Sequence, residues 1–184
     1  MSEKYKFDEH YHDRIFFTAD NHFSHANIIK YENRPFDNVH DMNKQMIEKW
    51  NETVPDNGIV FVLGDFIFNS SFNEIKEKLS GRKIFIRGNH DYKKIAISWP
   101  DIVELSVKDN SAPRNYMEFV LCHYPMMSWN KSFHGAIQLF GHVHSKYIGK
   151  DRRHYNVGVD VNDFKPVSYT FIKEMFLNHK NENM

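Results

Sequence analysis

Polar side chains of a narrow chemical range recur along this chain in five short stretches. They are Asp20-Asn21-His22, Gly64-Asp65, Gly88-Asn89-His90-Asp91, the single His123, and Gly141-His142-Val143-His144. Together they offer carboxylate and amide oxygens and imidazole nitrogens, with no thiolate. Such donors favour Mn, Fe, Zn, Ni or Co over a structural zinc knuckle. In Asp20-x-His22 and His142-x-His144 the two outer side chains project to one side if the chain is extended there, so both reach one small volume. A glycine precedes Asp65, Asn89 and His142, which permits a sharp turn and close approach of backbone. Seven ligands exceed the roughly four that one tetrahedral ion takes. They suit two ions sharing a carboxylate, since paired hydrolytic ions lie roughly 3.5–4 Å apart.

Each stretch closes an apolar run. The runs "RIFFTA" (14–19), "GIVFVLGD", "RKIFIRGNHD", "NYMEFVLCHY" and "GAIQLFGHVH" read as strands. Between them, "ANIIKYENR" ends at Pro35, and Asp41 to Thr53 carries Met42, Met46, Ile47 and Trp50 at helical spacing behind Asp41 as cap. "FNEIKEKLSG" is a helix stopped at Gly81. "DIVELSV" pairs with "NYMEFVLCHY" as a hairpin, "RHYNVGVDV" is a further strand, and Ser168 to Leu177 is a last helix. Alternating strands and helices followed by a run of strands predict a layered α/β fold with a mixed sheet. In such sheets the crevice at the carboxyl ends of the strands is where ligands bind.

At 184 residues the chain is expected to be one domain, 1–184, with 1–13 and 178–184 peripheral or frayed. Lys plus Arg equals Asp plus Glu, 24 each, so no global field draws it to nucleic acid or to an acidic membrane. "MSEKYKFDEHYHD" lacks the apolar core of a signal peptide, and no apolar run has membrane-span length. The one cysteine, Cys122, excludes an intrachain disulfide and fits a reducing cytoplasm, the expected location. The 16 Phe residues are expected to fill the core.

The order "DNH", "GD", "GNHD", "H", "GHVH" resembles the calcineurin-like metallophosphoesterase family over residues 15–160. "FTADNHFSHANIIKYENRPF", "CHYPMMSW" and "NVGVDVNDFKPVS" are similar to its small, capless bacterial and phage members. The resemblance implies a four-layer α/β/β/α sandwich of two mixed sheets flanked by helices. It implies that Asp20, His22 and His144 hold one divalent ion, that Asn89, His123 and His142 hold the other, and that Asp65 bridges them. His90 would then protonate the leaving oxygen, with Asp91 orienting it, after attack by a hydroxide activated between the ions. "GDFIFNSSF" lacks the Asp-Arg-Gly extension of the protein Ser/Thr phosphatases of this superfamily, which argues against a protein substrate.

Three readings stay open. One is a Mn-favouring phosphodiesterase for a small phosphate ester such as a nucleotide, which the open, capless site favours over a monoesterase. Another is a nuclease or nucleic-acid phosphatase, and the third a non-catalytic scaffold. His25, beside His22, and Arg152 and Arg153, in the basic run "KYIGKDRRH", are candidate substrate contacts. Cys122 reads as a small buried apolar residue. Oligomeric state is not legible.

Overall fold

The computed structural model describes residues 2–68, 72–91, 93–147 and 153–178. In chain order these form β1 (Ser2–Phe7), β2 (Ile15–Thr18), α1 (Ala26–Tyr31), α2 (Val39–Thr53), β3 (Ile59–Leu63), α3 (Phe72–Lys78) and β4 (Arg82–Ile86). They continue with α4 (Lys93–Ala96), β5 (Ile102–Lys108), β6 (Tyr116–Cys122), β7 (Ile137–Phe140), β8 (His154–Asn156), β9 (Val167–Ser168) and α5 (Tyr169–Asn178).

The strands make two mixed sheets, β4-β3-β2-β9 and β1-β5-β6-β7-β8. In the first, β2, β3 and β4 are parallel and β9 is antiparallel. The central strand β3, "IVFVL", is buried on both faces, which is why it reads as an unbroken apolar run. One face packs Phe17 and Phe61 against Phe119, Val103, Leu105 and Leu121 of the other sheet. Its opposite face packs Val60 and Val62 against Met42, Met46 and Trp50 of α2 and Ile75 of α3. This is the expected α/β sandwich with flanking helices.

The layers are unequal. The outer face of the five-stranded sheet carries a polar ladder, with Lys4 paired to Glu104 (3.3 Å), Ser106 to Glu118 (2.8 Å) and Lys131 to Glu118 (3.1 Å). The strict alternation of buried and half-buried residues along β5 follows from that one solvated face. Only a patch of it, around Val120, is covered by Trp129 and Ala136. Helix α5 sends Tyr169 and Ile172 into the core between the sheets.

Three expectations need correction. Residues 2–7, expected to be peripheral or frayed, are peripheral but ordered, forming the edge strand β1 parallel to β5 from Ser2↔Ile102 to Phe7↔Val107. Their alternation K-Y-K-F places Tyr5 and Phe7 edge-on against Phe61, at 5.6 and 6.4 Å. Helix α2 is capped by Asn38, which accepts from the amides of His40 and Asp41 (3.0 Å each), and not by Asp41. The strand "RHYNVGVDV" stops at Asn156, because Asn162 donates to the carbonyls of Asn156 (2.9 Å) and Gly158 (2.7 Å) and folds residues 159–161 into a 3-10 turn. The hairpin of β5 with β6 and the burial of Cys122 are as expected.

Candidate metal centre

The carboxyl ends of β2, β3, β4, β6 and β7 meet at one end of the two sheets. The loops that follow them are tied together through the backbone. Asp20 N–H donates to Gly64 O (3.1 Å), His22 N–H to Asp65 O (2.9 Å) and Gly141 N–H to His123 O (2.9 Å). His142 N–H donates to the Asp20 carboxylate (2.8 Å), which joins the two sheets.

The glycines are required for this crowding. A Cβ on Gly88 would strike the Asp65 carboxylate, and one on Gly141 would lie 2.5 Å from both Ala19 Cβ and Asp20 Oδ2. The side chains therefore converge on a centre that backbone, not bulk, surrounds.

The ligand residues are not extended as their spacing implied. Asp20 (φ 56), His22 (φ 50), Asp65 (φ 54), His142 (φ 70) and His144 (φ 48) all lie in the left-handed region. Each such residue stores about 1–3 kcal/mol of strain, and clusters of them mark functional sites.

Donor atoms of Asp20, His22 and His144 lie within 4.8 Å of one another, as do those of Asp20, Asp65 and His123. Asp65 Oδ2 stands 3.6 Å from His22 Nε2 and 3.4 Å from His123 Nε2. Asn89 Oδ1 stands 3.0 Å from both His123 Nε2 and His142 Nδ1. All seven expected ligands thus fall into one connected cluster, in which Asp20 belongs to both groups and Asp65 faces His22 of one and His123 of the other.

The cluster fits divalent ions. His22 Nε2 is buried with no hydrogen-bond partner among the described residues. Burial drives His22 down to about 3, so its ring is neutral and offers a lone pair. The Nδ1 of His123 is 2.8 Å from Leu63 O; an N–H there donates to that carbonyl and leaves the Nε2 lone pair facing Asn89 Oδ1. Asp65 Oδ2 stands 3.4 Å from the same Nε2, so this nitrogen faces two oxygens across a gap that a shared proton or a cation can fill. Burial raises Asp20 to about 7, only partly offset by His123 and His144. For Asp65 burial acts upward too, but the hydrogen bond and charge of His123, the His90 amide and His22 hold it at about 2.

His90 has an exposed ring whose centroid is 5.5 Å from that of His22, and its N–H donates to Asp65 Oδ1 (2.8 Å). Asp91 does not orient that ring. Its carboxylate accepts the amides of Gly88 (2.7 Å), Asp65 (3.0 Å) and Phe66 (3.0 Å), so it clamps the two loops. The physical reason is its burial, which places it under the loops and away from solvent. His25 sits with its Nδ1 3.4 Å from His22 Nδ1 and its ring stacked on Phe68 at 4.2 Å. Arg153 donates to Ser132 O (2.5 Å) and lies over the Trp129 ring, so its described contacts are away from the ligands. Arg152 lies outside the described residues.

Two residues escaped the sequence reading. Asp160 accepts from His144 Nδ1 (2.7 Å), and Arg34 grips Asp160 with Nε (2.8 Å) and Nη2 (3.0 Å). Two signals were available: Asp160 closes the "NVGVD" run as the candidate ligands close theirs, and both residues lie inside the stretches "FTADNHFSHANIIKYENRPF" and "NVGVDVNDFKPVS".

The chain matches the model of the calcineurin-like phosphoesterases over residues 13–165, and it belongs to that family. Membership makes it a phosphoesterase-type hydrolase with divalent metal as the family's requirement. A relative is the uncharacterized protein MJ1445 of Methanocaldococcus jannaschii, 38% identical over 172 residues, covering 88% of this chain and 90% of that one. Another is the gene 66 protein of Mycobacterium phage L5, 25% identical over 177 residues, covering 78% and 85%. Among solved structures, the protein of unknown function AQ665 from Aquifex aeolicus superposes with a TM-score of 0.65 at 23% identity, over 88% of this chain and 98% of that one. The last likeness is one of fold. Among the described residues, no helix is long and apolar enough to cross a membrane.

Proposed function

We propose that the chain is a dinuclear-metal phosphodiesterase acting on small phosphate esters such as nucleotides. The observation that carries this reading is the placement of Asp65 Oδ2, 3.6 Å from His22 Nε2 and 3.4 Å from His123 Nε2, between two histidine-rich groups. Asp20, His22 and His144 would hold one ion, and Asn89, His123 and His142 the other, with Asp65 placed to serve both. Two divalent ions, with Mn2+ favoured among those this donor set accepts, supply when bound a lowered pKa for water and positive charge against the phosphate oxygens.

The chain's own groups do the rest. The Asp91 clamp fixes the loop of Asn89 and His90 against that of Asp65. His90, exposed beside His22, gives its proton to the leaving oxygen, a contribution of about 10²–10⁴-fold. Aromatic rings flank the cluster on both sides. Phe68, 36% exposed, stacks on His25, and Tyr124, 45% exposed, lies 4.7 Å from the His142 ring. Such rings give a nucleobase or other flat leaving group a surface to stack on.

The test is to strip metal, restore Mn2+, and compare bis-p-nitrophenyl phosphate with p-nitrophenyl phosphate for the wild type and His90→Ala. Mn-dependent cleavage of the diester, lost in the variant while metal binding is kept, supports the reading. Undiminished cleavage of a diester with a poor alcohol leaving group in His90→Ala removes the acid assignment. A steep salt dependence of KM on oligonucleotides would transfer the site to nucleic acid.

A further inference from the structure

Arg34 follows α1 in a loop yet has its side chain fully buried. Its guanidinium has five N–H groups, and all five are accounted for. Nε donates to Asp160 Oδ1 (2.8 Å). Nη2 donates to Asp160 Oδ2 (3.0 Å) and to Asp20 O (2.7 Å). Nη1 donates to Asn21 O (2.9 Å) and to Met42 Sδ (3.6 Å). The Asp160 carboxylate then has Oδ2 left to accept from His144 Nδ1 at 2.7 Å.

These contacts share one destination. Asp20 and Asn21 are the turn that presents Asp20 and His22, and Asp160 holds His144. One buried arginine therefore touches, directly or through Asp160, the supports of all three residues assigned to one ion. Asn89, His123 and His142 receive none of its five bonds. The chemistry is specific as well. A proton on His144 Nδ1, donated to Asp160, leaves the lone pair on Nε2, the nitrogen free of that bond. An imidazole left to itself favours the proton on Nε2, so a carboxylate at Nδ1 reverses the preference, and partners of this kind set which nitrogen ligates.

We propose that Arg34 and Asp160 are positioning residues for one ion of the pair: they fix the Asp20-His22 turn and the Nδ1–H form of His144, and reach the second ion's ligands by no hydrogen bond of their own. The inference rests on reading the cluster as a two-ion centre, but its first test does not need the metal. In metal-free full-length protein, at a pH where His144 is neutral, nitrogen NMR should find the Nδ1–H form in the wild type. In Asp160→Ala the population should shift to Nε2–H. An unchanged Nδ1–H form in the variant overturns the proposal.

The second test is calorimetric titration with Mn2+. The wild type should take up two ions, and Asp160→Ala should weaken one binding step by about 10–100-fold with the other unchanged. Equal weakening of both steps, or of neither, overturns the proposal. Asp160→Ala leaves the Arg34 charge buried without its partner, which by itself can unfold a protein. The double variant Arg34→Met with Asp160→Ala removes both charges and should show the same one-step loss with an intact circular dichroism spectrum. Should the wild type take up no metal, the two-ion reading of the centre fails, while the NMR result still reports on the role of Asp160.

Discussion

The two halves of the candidate centre are built by different means. Asp20, His22 and His144 sit low, with Asp20 and His22 fully buried and the cluster backed by the Arg34–Asp160 ion pair. Of the other three, Asn89 is exposed and His142 half-exposed, while His123 is as buried as Asp20. The support of His123 is a main-chain carbonyl, Leu63 O at 2.8 Å, which no substitution removes. One half thus leans on a buried ion pair remote in sequence, whereas the other combines a strand carbonyl under His123 with the Asp91 clamp on the Asn89 loop. Side-chain support is open to mutation at a distance, whereas backbone support confines damage to the ligands themselves.

The comparison breaks most completely at the residue common to both halves. Asp65→Ala should abolish binding of both ions and all metal-dependent hydrolysis, read by calorimetry and by diester cleavage; one ion retained at wild-type affinity would show that Asp65 serves a single half. His90→Ala should lower kcat by about 10²–10⁴-fold with both binding steps intact, since His90 contributes a proton and no ligand atom. Asn89→Ala should sharpen the contrast from the other side. It should weaken the step that Asp160→Ala spares and leave the His144 ring in its Nδ1–H form.

The smallest effect on the centre belongs to Asp109→Asn, at the far end of the sheet. Asp109 follows β5, which runs antiparallel to β6 and so ends away from His123. Burial acts to raise its carboxyl, but hydrogen bonds from Lys173 (2.8 Å), Ser111 and Tyr169 (2.7 Å) outweigh that and hold it below the usual carboxylate range. A carboxyl depressed on folding stabilises the protein above its unfolded value, about 3.9, and loses that contribution as pH falls through the folded value. Asp109→Asn should therefore lower the Tm at neutral pH, with the gap to wild type closing below about pH 4. Both Mn2+ steps should stay unchanged.

The convergence of the candidate ligands was legible because each is a polar residue at the end of an apolar run, and burial of the run leaves its end at the sheet edge. Their backbone was not, since Asp20-x-His22 reads as extended while a left-handed turn delivers the same convergence. Arg34 and Asp160 stood hidden for a different reason. They are 126 positions apart, and nothing local distinguishes a buried arginine from an exposed one until the fold pairs it. Asp91 was placed correctly in the motif but given the wrong partner, because adjacency to His90 in sequence is not adjacency of side chains. β1 was overlooked although its K-Y-K-F alternation carries the period of a strand.

The left-handed backbone at five of the ligand positions also limits how this centre can drift. Asp, Asn and His are the non-glycine types that enter that region most readily. The residue types that could bind metal there are thus also those the backbone accepts. Asp→Asn at position 20 or 65 changes the charge and spares the turn, whereas a β-branched replacement strains the turn before any ion is considered. Neutral change at these positions has one narrow exit, and it exchanges a carboxylate for an amide.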